Sequence, residues 1–397
     1  MADISKLLKD FRKGAGSTTA KDSTIMKVDE FLDTGSYAIN RVITGDIHKG
    51  IPRGRITDIY GESQSGKSWV ASNCMIDALN KQGYQFVAYF DSEGGALFNY
   101  LEESGVDMDK IEHIPVNSTE DCAVKMINLY DSLVKAANEW RDKPDECEEP
   151  KVLVVLDSFG ALGSDKIVTD AAKDKMAADM GGNAKLKNSM MKALMMRVAQ
   201  SNCPLIVINH IYRNPGAMFT SKILEQPGGE GLKFASHVQL QMSKLLIKAG
   251  DEEYLTGEES EEVQDEKGFF KGNRIKAFCA KNRVCMPCFE ATMYLDFNHG
   301  ISKYDGLLED AERYGFIQTV RGGYMVPSYS DKRVSYKEMV SNDKIWDTFI
   351  DKFNAESVKR MKYGNKKTAE AIDEIERELQ EEESGRADTL DEGIPNE

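Results

Sequence analysis

Four short apolar runs stand out in the first half of the chain: RITDIY at 55–60, FVAYFD at 86–91, VLVVLD at 152–157 and PLIVINH at 204–210. Each is too short for a helix and rich in β-branched or aromatic side chains, as expected of strands buried on both faces of a parallel sheet. Helical spacing separates them, in SWVASNCMIDALNKQG (68–83) and over 119–139 and 184–200. The alternation predicts an α/β fold with a mostly parallel central sheet flanked by helices. Beyond residue 235 the pattern changes. HVQLQMSKLLIKAG (237–250) and FKGNRIKAFCAKNR (270–283) predict two antiparallel strands, FEATMYLDF (289–297) another, and 304–316 a helix. The first thirty residues are polar and peripheral, with a helix over 3–12 ahead of a flexible GAGSTTAKDS. No internal repeat is visible.

Composition narrows the class. At 397 residues the chain has about two domains' worth of length, and 41% hydrophobic side chains suffice for a buried core. No run approaches the roughly 18 apolar residues of a membrane span, and the start has no apolar signal region. Seven scattered cysteines read as reduced thiols, so a soluble, cytoplasmic protein is expected. The net charge of −15 is unevenly spread. Residues 368–397 carry −10, either as a solvated tail or as a weak amphipathic helix over 368–382, and the insertion 251–266 carries −9. Without these two segments the body is at +4, compatible with a polyanionic ligand.

The strongest local signal is Gly61-Glu62-Ser63-Gln64-Ser65-Gly66-Lys67-Ser68, a full Walker A spacing between a strand and a helix. Such a loop aims backbone N–H groups and a helix N-terminus at phosphate oxygens. Lys67 would reach the β/γ-phosphates and Ser68 would ligate Mg²⁺. Asp157 closes the most apolar strand, where a carboxylate serves either as a metal ligand or as an ordinary helix cap. Glu93, ending a strand in FDSEGG, is either a general base or a solvated loop acid. His210 closes the fourth strand, as a functional or a merely structural histidine. Together they place four polar groups at the ends of four apolar strands.

On GESQSGKS, FDSEGG, VLVVLDSFGAL, SNCPLIVINH, AMF…PGGEGLKF and CAKNR, in this order and spacing, the chain resembles the RecA-type recombinases from about residue 30 to about 325. The short N-terminus and acidic tail resemble the phage branch, the UvsX recombinases of T4-like bacteriophages. The resemblance implies an ATP- and Mg²⁺-dependent filament on single-stranded DNA that pairs it with homologous duplex in recombination, repair and replication. It divides the chain into an oligomerisation segment (1–30), an ATPase core (31–325), a small C-terminal region (326–367) and the tail (368–397). Glu93 would orient the attacking water, Asp157 would hold the magnesium network, and His210 would sense the γ-phosphate. Tyr100 matches an aromatic position near adenine, while Leu97 departs from an acid in the bacterial pattern. Lys281 and Arg283, otherwise two surface cations on a strand, match a basic pair that reaches a neighbour's ATP. A single-strand-binding protein and a loading mediator are further implied partners.

Residues 164–184 and 211–229 are longer than ordinary α/β connections and resemble the two loops that line the filament axis. Met180 and Phe219 match apolar wedges between groups of bases, and Gly228-Gly229 belong to the second loop's motif. Lys185 and Lys192 match phosphate contacts, with Arg213 and Lys222 added on charge alone. Such binding is sequence-tolerant, using charge and stacking. Cys285-Met-Pro-Cys288, with Cys279 and His299 near it, lacks the second half a zinc site needs and reads as a strand bending at a proline. The methionines of 190–196 read as a helix packing face. A hexameric replicative helicase on the same core is the alternative, opposed by the GGEG-type second loop. A regulatory paralogue is opposed by the intact Lys67, Glu93 and Asp157.

Overall fold

The structure, a computed structural model, describes residues 27–95, 98–166, 169, 181–213, 224–227, 229–245, 272–297 and 299–364, with isolated positions before residue 27. Two short strands, β1 (Phe31–Leu32) and β2 (Ile51–Pro52), pair antiparallel around α1 (Tyr37–Thr44). Strand and helix then alternate: β3 (Ile56–Gly61), α2 (Lys67–Asn80), β4 (Phe86–Asp91), α3 (Phe98–Glu103), β5 (Ile111–Pro115), α4 (Thr119–Asp142), β6 (Val152–Asp157), α5 (Gly182–Ser201) and β7 (Leu205–His210). The ladder β8 (Tyr212–Arg213) with β9 (Leu224–Glu225), the helix α6 (Glu230–Ala235) and the strands β10 (Val238–Leu245), β11 (Gly272–Asn282), β12 (Glu290–Asp296) and β13 (Gly300–Ile301) follow.

These elements build a nine-stranded sheet in the order β13-β12-β11-β10-β3-β7-β6-β4-β5. From β10 to β5 every pairing is parallel; β11, β12 and β13 extend the same sheet antiparallel. Every residue of β6 is buried, because helices cover both faces. On one face α4 buries Cys122, Met126, Tyr130, Leu133 and Ala137, a stripe at helical spacing. Ser118 caps that helix by accepting from the Asp121 N–H at 3.1 Å. On the other face α1 and α2 share a core with the C-terminal elements.

Those elements are α7 (Leu308–Arg313), a three-stranded sheet of β14 (Gln318–Val320), β15 (Gly323–Val326) and β16 (Ser330–Val334), and then α8 (Tyr336–Ser341), α9 (Asp343–Trp346) and α10 (Ile350–Met361). Trp346 stacks on Tyr304 with ring centroids 4.7 Å apart and donates its indole N–H to the Met339 carbonyl at 2.6 Å. The division expected at 325/326 falls inside β15, and the small sheet begins before it, at Gln318. Helical structure within 304–316 is confined to α7. Among the described residues no helix is long and apolar enough to cross a membrane. The stretches 251–266 and 368–397 lie outside the described residues.

Candidate functional site

The loop between β3 and α2 is shaped by steric necessity. A Cβ on Gly61 would collide with the Met242 carbonyl oxygen of the adjacent β10. Gln64 and Gly66 both take positive φ, 61° and 90°. Gly66 is the N-cap of α2 and offers no side chain to cap it, leaving the first N–H groups for an external acceptor. Lys67 is buried and donates to the Glu62 carbonyl at 2.7 Å, as Ser65 Oγ does at 2.8 Å. Burial pulls the Lys67 ammonium below its usual value, against the opposing pull of Asp157, Glu93 and Glu62.

Sheet register brings the strand ends level. Gly61 pairs with His210, Asp157 with Ile208 and Asp91 with Asp157. Asp157 Oδ2 accepts from the Tyr89 hydroxyl at 2.9 Å and lies 3.5 Å from Ser68 Oγ. Burial raises the Asp157 carboxyl above its usual value; Glu93 and Asp91 add to this while the Tyr89 hydrogen bond opposes it. Glu93 accepts from the Ser158 hydroxyl and stands 3.1 Å from His210 Nε2. The turn carrying Glu93 is fixed by Asp91, whose Oδ1 accepts from the N–H groups of Glu93 (2.9 Å) and Gly94 (2.7 Å). Burial would raise Asp91, but the side chain of His113, 3.0 Å away, and these N–H groups outweigh it and hold the acid low.

These groups face one cleft of about 360 Å³. Lys67, Ser68, Glu93, Asp157 and His210 line it together with the exposed loop residues Ser63 and Gln64. Sequence reasoning missed its apolar wall, formed by Trp69, Leu295 and Phe297, and the residues behind it that hold Asp157 and Glu93 by hydrogen bonds, Tyr89, Asp91 and Ser158. Tyr89 carries the one hydroxyl in the apolar run FVAYFD and could have drawn notice, but no spacing ties Phe297 to the Walker loop. Tyr100 is not among the described residues lining the cleft; its hydroxyl donates to Asn73 Oδ1 at 3.2 Å. Leu97 lies outside the described residues.

Lys281 and Arg283 are not brought into the cleft. Lys281 pairs with Gln239, and Gln239 with Asp58, three residues before Gly61, toward the amino edge of the parallel strands. Its ammonium donates to the carbonyls of Lys233 and Phe234 at the end of α6. Burial lowers its pKa, Arg283 adds to the effect, and Asp58 opposes it. Arg283 is exposed. Positive charge concentrates at this edge: burial, Arg55, Arg283 and Lys281 together push His237 down to about 4.

On α5, Lys185 and Lys192 are exposed two turns apart on one face. Gly229, with φ 74°, precedes α6. The β8–β9 ladder joins the two ends of the second candidate loop, pairing Tyr212 with Glu225 and Arg213 with Leu224. The side chain of Arg213, and Met180, Phe219, Lys222 and Gly228 entirely, lie outside the described residues. The cysteine pattern is a turn: Cys288 has φ 70° and donates its N–H to the Cys279 carbonyl, while buried Cys285 packs under Asn282.

Comparison with known proteins finds the RecA N-terminal domain family matched over residues 1–302. Protein RecA of Aquifex aeolicus is 30% identical over 341 residues, covering 85% of each chain. The recombination and repair protein of Enterobacteria phage T4 is 26% identical over 308 residues, 78% of this chain and 69% of that protein. Protein RecA of Clostridioides difficile is 27% identical over 337 residues, 83% and 82% of the two chains.

Proposed function

Because this chain belongs to the RecA family of DNA recombinases, we propose that its strand-end cleft is an ATP site completed by cations from a neighbouring subunit. Family membership makes it a nucleotide-binding, DNA-dependent ATPase that forms filaments on DNA and acts in strand exchange. Nothing in the fold or the relatives favours the helicase alternative.

The observation that carries the proposal is the register of β3, β7, β6 and β4, which aligns a phosphate-binding loop with Asp157, Glu93 and His210. Lys67 and the open N-terminus of α2 would bind the ATP phosphates, and Trp69 and Phe297 offer an apolar wall for the rest of the nucleotide. Ser68 and Asp157, 3.5 Å apart on the same cleft, fit as holders of Mg²⁺, which when bound neutralises phosphate charge. Glu93 orients the attacking water and takes its proton. Ser158 and His210 hold that carboxylate in place, so a change at His210 is felt by Glu93 directly. Tyr100 is proposed near adenine from the family pattern alone.

Lys281 and Arg283 lie toward the opposite edge of the sheet from Lys67, a position that suits service to another subunit's ATP. A cation delivered across an interface stabilises transition-state charge and makes hydrolysis depend on assembly. Met180, Lys185, Lys192, Arg213, Phe219, Lys222, Gly228 and Gly229 are proposed to meet DNA, with residues 1–30 as the oligomerisation segment and 31–325 as the core. A single-strand-binding protein and a mediator, working in the cytoplasm of the host cell if the chain is phage-encoded, complete the proposal. Joint-molecule formation between a single strand and homologous duplex tests it. Product should form with ATP and also with a non-hydrolysable analogue, and an absence of product under both would reject the strand-exchange reading.

A further inference from the structure

The buried face of α5 is apolar at Met190, Met191, Leu194 and Val198. One turn earlier on that face, three residues before Met190 and four before Met191, stands Lys187, only 2% exposed. The helical pattern calls for an apolar side chain there, and a buried ammonium is costly unless something holds it. Among the described residues its hydrogen-bond acceptor is the Gly160 carbonyl at 3.2 Å, and it lies 5.1 Å from the centre of the Phe159 ring. Burial pushes the ammonium down to about 8, with Cys122 opposing. Side chains that break the pattern of their own element concentrate at functional positions.

Phe159 and Gly160 directly follow Asp157 and Ser158. The Ser158 hydroxyl donates to Glu93, and its N–H donates to Ser92 Oγ at 2.9 Å. Gly160 has no room for a side chain, since a Cβ would sit 2.8 Å from Pro227 Cγ and 2.9 Å from Asn209 Oδ1. Asn209 is fully buried, precedes His210, and donates to the Pro227 carbonyl at 3.3 Å. Four segments therefore meet at Gly160: the first turns of α5, the end of the second candidate DNA loop, the end of β7, and the strand end that carries Asp157 and Ser158.

We propose that Lys187 is a positioning residue that couples DNA contact to ATP turnover by tying the start of α5 to the Ser158–Gly160 segment that aims Glu93. The proposal rests on the reading of 164–184 and 211–229 as DNA loops. Unlike the exposed Lys185 and Lys192, Lys187 does not face DNA; it transmits their displacement to the loop beneath. A methionine of similar length fills the same slot but has no donor for the Gly160 carbonyl.

The test is Lys187→Met, compared with wild type in thermal midpoint, single-strand affinity, nucleotide KM, and kcat with and without single-stranded DNA. The expected variant keeps its midpoint or gains a little. Its DNA affinity and KM stay within about twofold, its DNA-free turnover is unchanged, and its DNA-stimulated kcat drops about 10-fold or more. Full stimulation in the variant overturns the proposal. So does a joint loss of midpoint, affinities and kcat, which marks Lys187 as a packing residue. Should Lys187→Met fail to fold, Gly160→Ala decides, because its methyl wedges the same junction from the other side. Loss of stimulation with affinities retained supports the coupling, and retained stimulation refutes it. Unchanged single-strand affinity in Lys185→Ala/Lys192→Ala removes the DNA-loop reading and the proposal with it, whereas equal stimulation in wild type and both variants removes the proposal alone.

Discussion

Replacing Glu93 by glutamine separates chemistry from binding. The amide is nearly isosteric and still accepts from Ser158 through its oxygen, so the turn fixed by Asp91 stays in place. What disappears is a proton acceptor and one negative charge. Loss of a positioned base lowers turnover by about 10²- to 10⁴-fold. The charge acts in the opposite direction on binding. At about 6 Å and an effective dielectric near 20, one charge repels another by roughly 2.8 kcal/mol. Glu93 is 37% exposed, so screening leaves on the order of 1 kcal/mol, about a fivefold tightening of ATP. Nucleotide affinity from a fluorescent analogue and steady-state turnover at saturating single-stranded DNA read the two effects separately. Slow hydrolysis with unchanged or tighter ATP is the expected pair. Wild-type turnover removes Glu93 from the mechanism, and a parallel loss of ATP affinity makes it a structural residue.

Lys67→Ala should weaken nucleotide binding by about 100-fold, the loss of a charge-assisted contact of roughly 2–3 kcal/mol, and equilibrium binding of the same analogue reads it. Asp58, fully buried in β3, is pushed up to about 7 by burial, with Gln226 and Gln239 opposing. Its folded pKa lies above the ordinary 3.8, so ionisation costs the fold stability progressively between pH 4 and 7. Asp58→Asn should therefore raise the melting temperature relative to wild type at pH 8 by more than at pH 5, and an equal difference at both pH values contradicts the assignment. Truncation after Lys367 removes a net −10 from a body that is otherwise mildly basic. The shortened protein should bind duplex more tightly at low salt, an advantage that shrinks as the Debye length falls to about 8 Å at physiological ionic strength; equal affinities across a salt series would leave the tail a role other than masking DNA.

The parallel core was legible because its strands are apolar on both faces, and β4 and β6 match the runs at 86–91 and 152–157 residue for residue. β5 was not, since it is the edge strand: IEHIP is half-solvated and carries Glu112 and His113 where a central strand would carry valine. The β14–β16 sheet escaped for a related reason, being mostly solvent-facing except at Val326 and Val334. In the cleft, Lys67 announced itself by the Walker spacing, and Asp157, Glu93 and His210 by standing at or just beyond strand ends. Leu295 and Phe297 reach the same cleft from the end of β12 and just beyond it, more than 220 residues from Lys67, and only the assembled sheet brings them there. Lys187 hid inside an apolar stripe, where the methionines drew the eye. Lys281 and Arg283 are only two surface cations by pattern, and the family resemblance singled them out; the register then sets Lys281 toward the far edge from the Walker loop.

Sharing of each proposed ATP site between two subunits is tested most directly by mixing two defective proteins. A Lys67→Ala subunit cannot use its own nucleotide site but still presents Lys281 and Arg283. A Lys281→Ala/Arg283→Ala subunit has an intact cleft but no cations to lend. Each alone should show little DNA-stimulated turnover. Mixed on single-stranded DNA, the first should complete the clefts of the second, and the turnover of the mixture should exceed the sum of the two separate proteins. Co-assembly on DNA with turnover no greater than that sum would contradict a site shared across the interface.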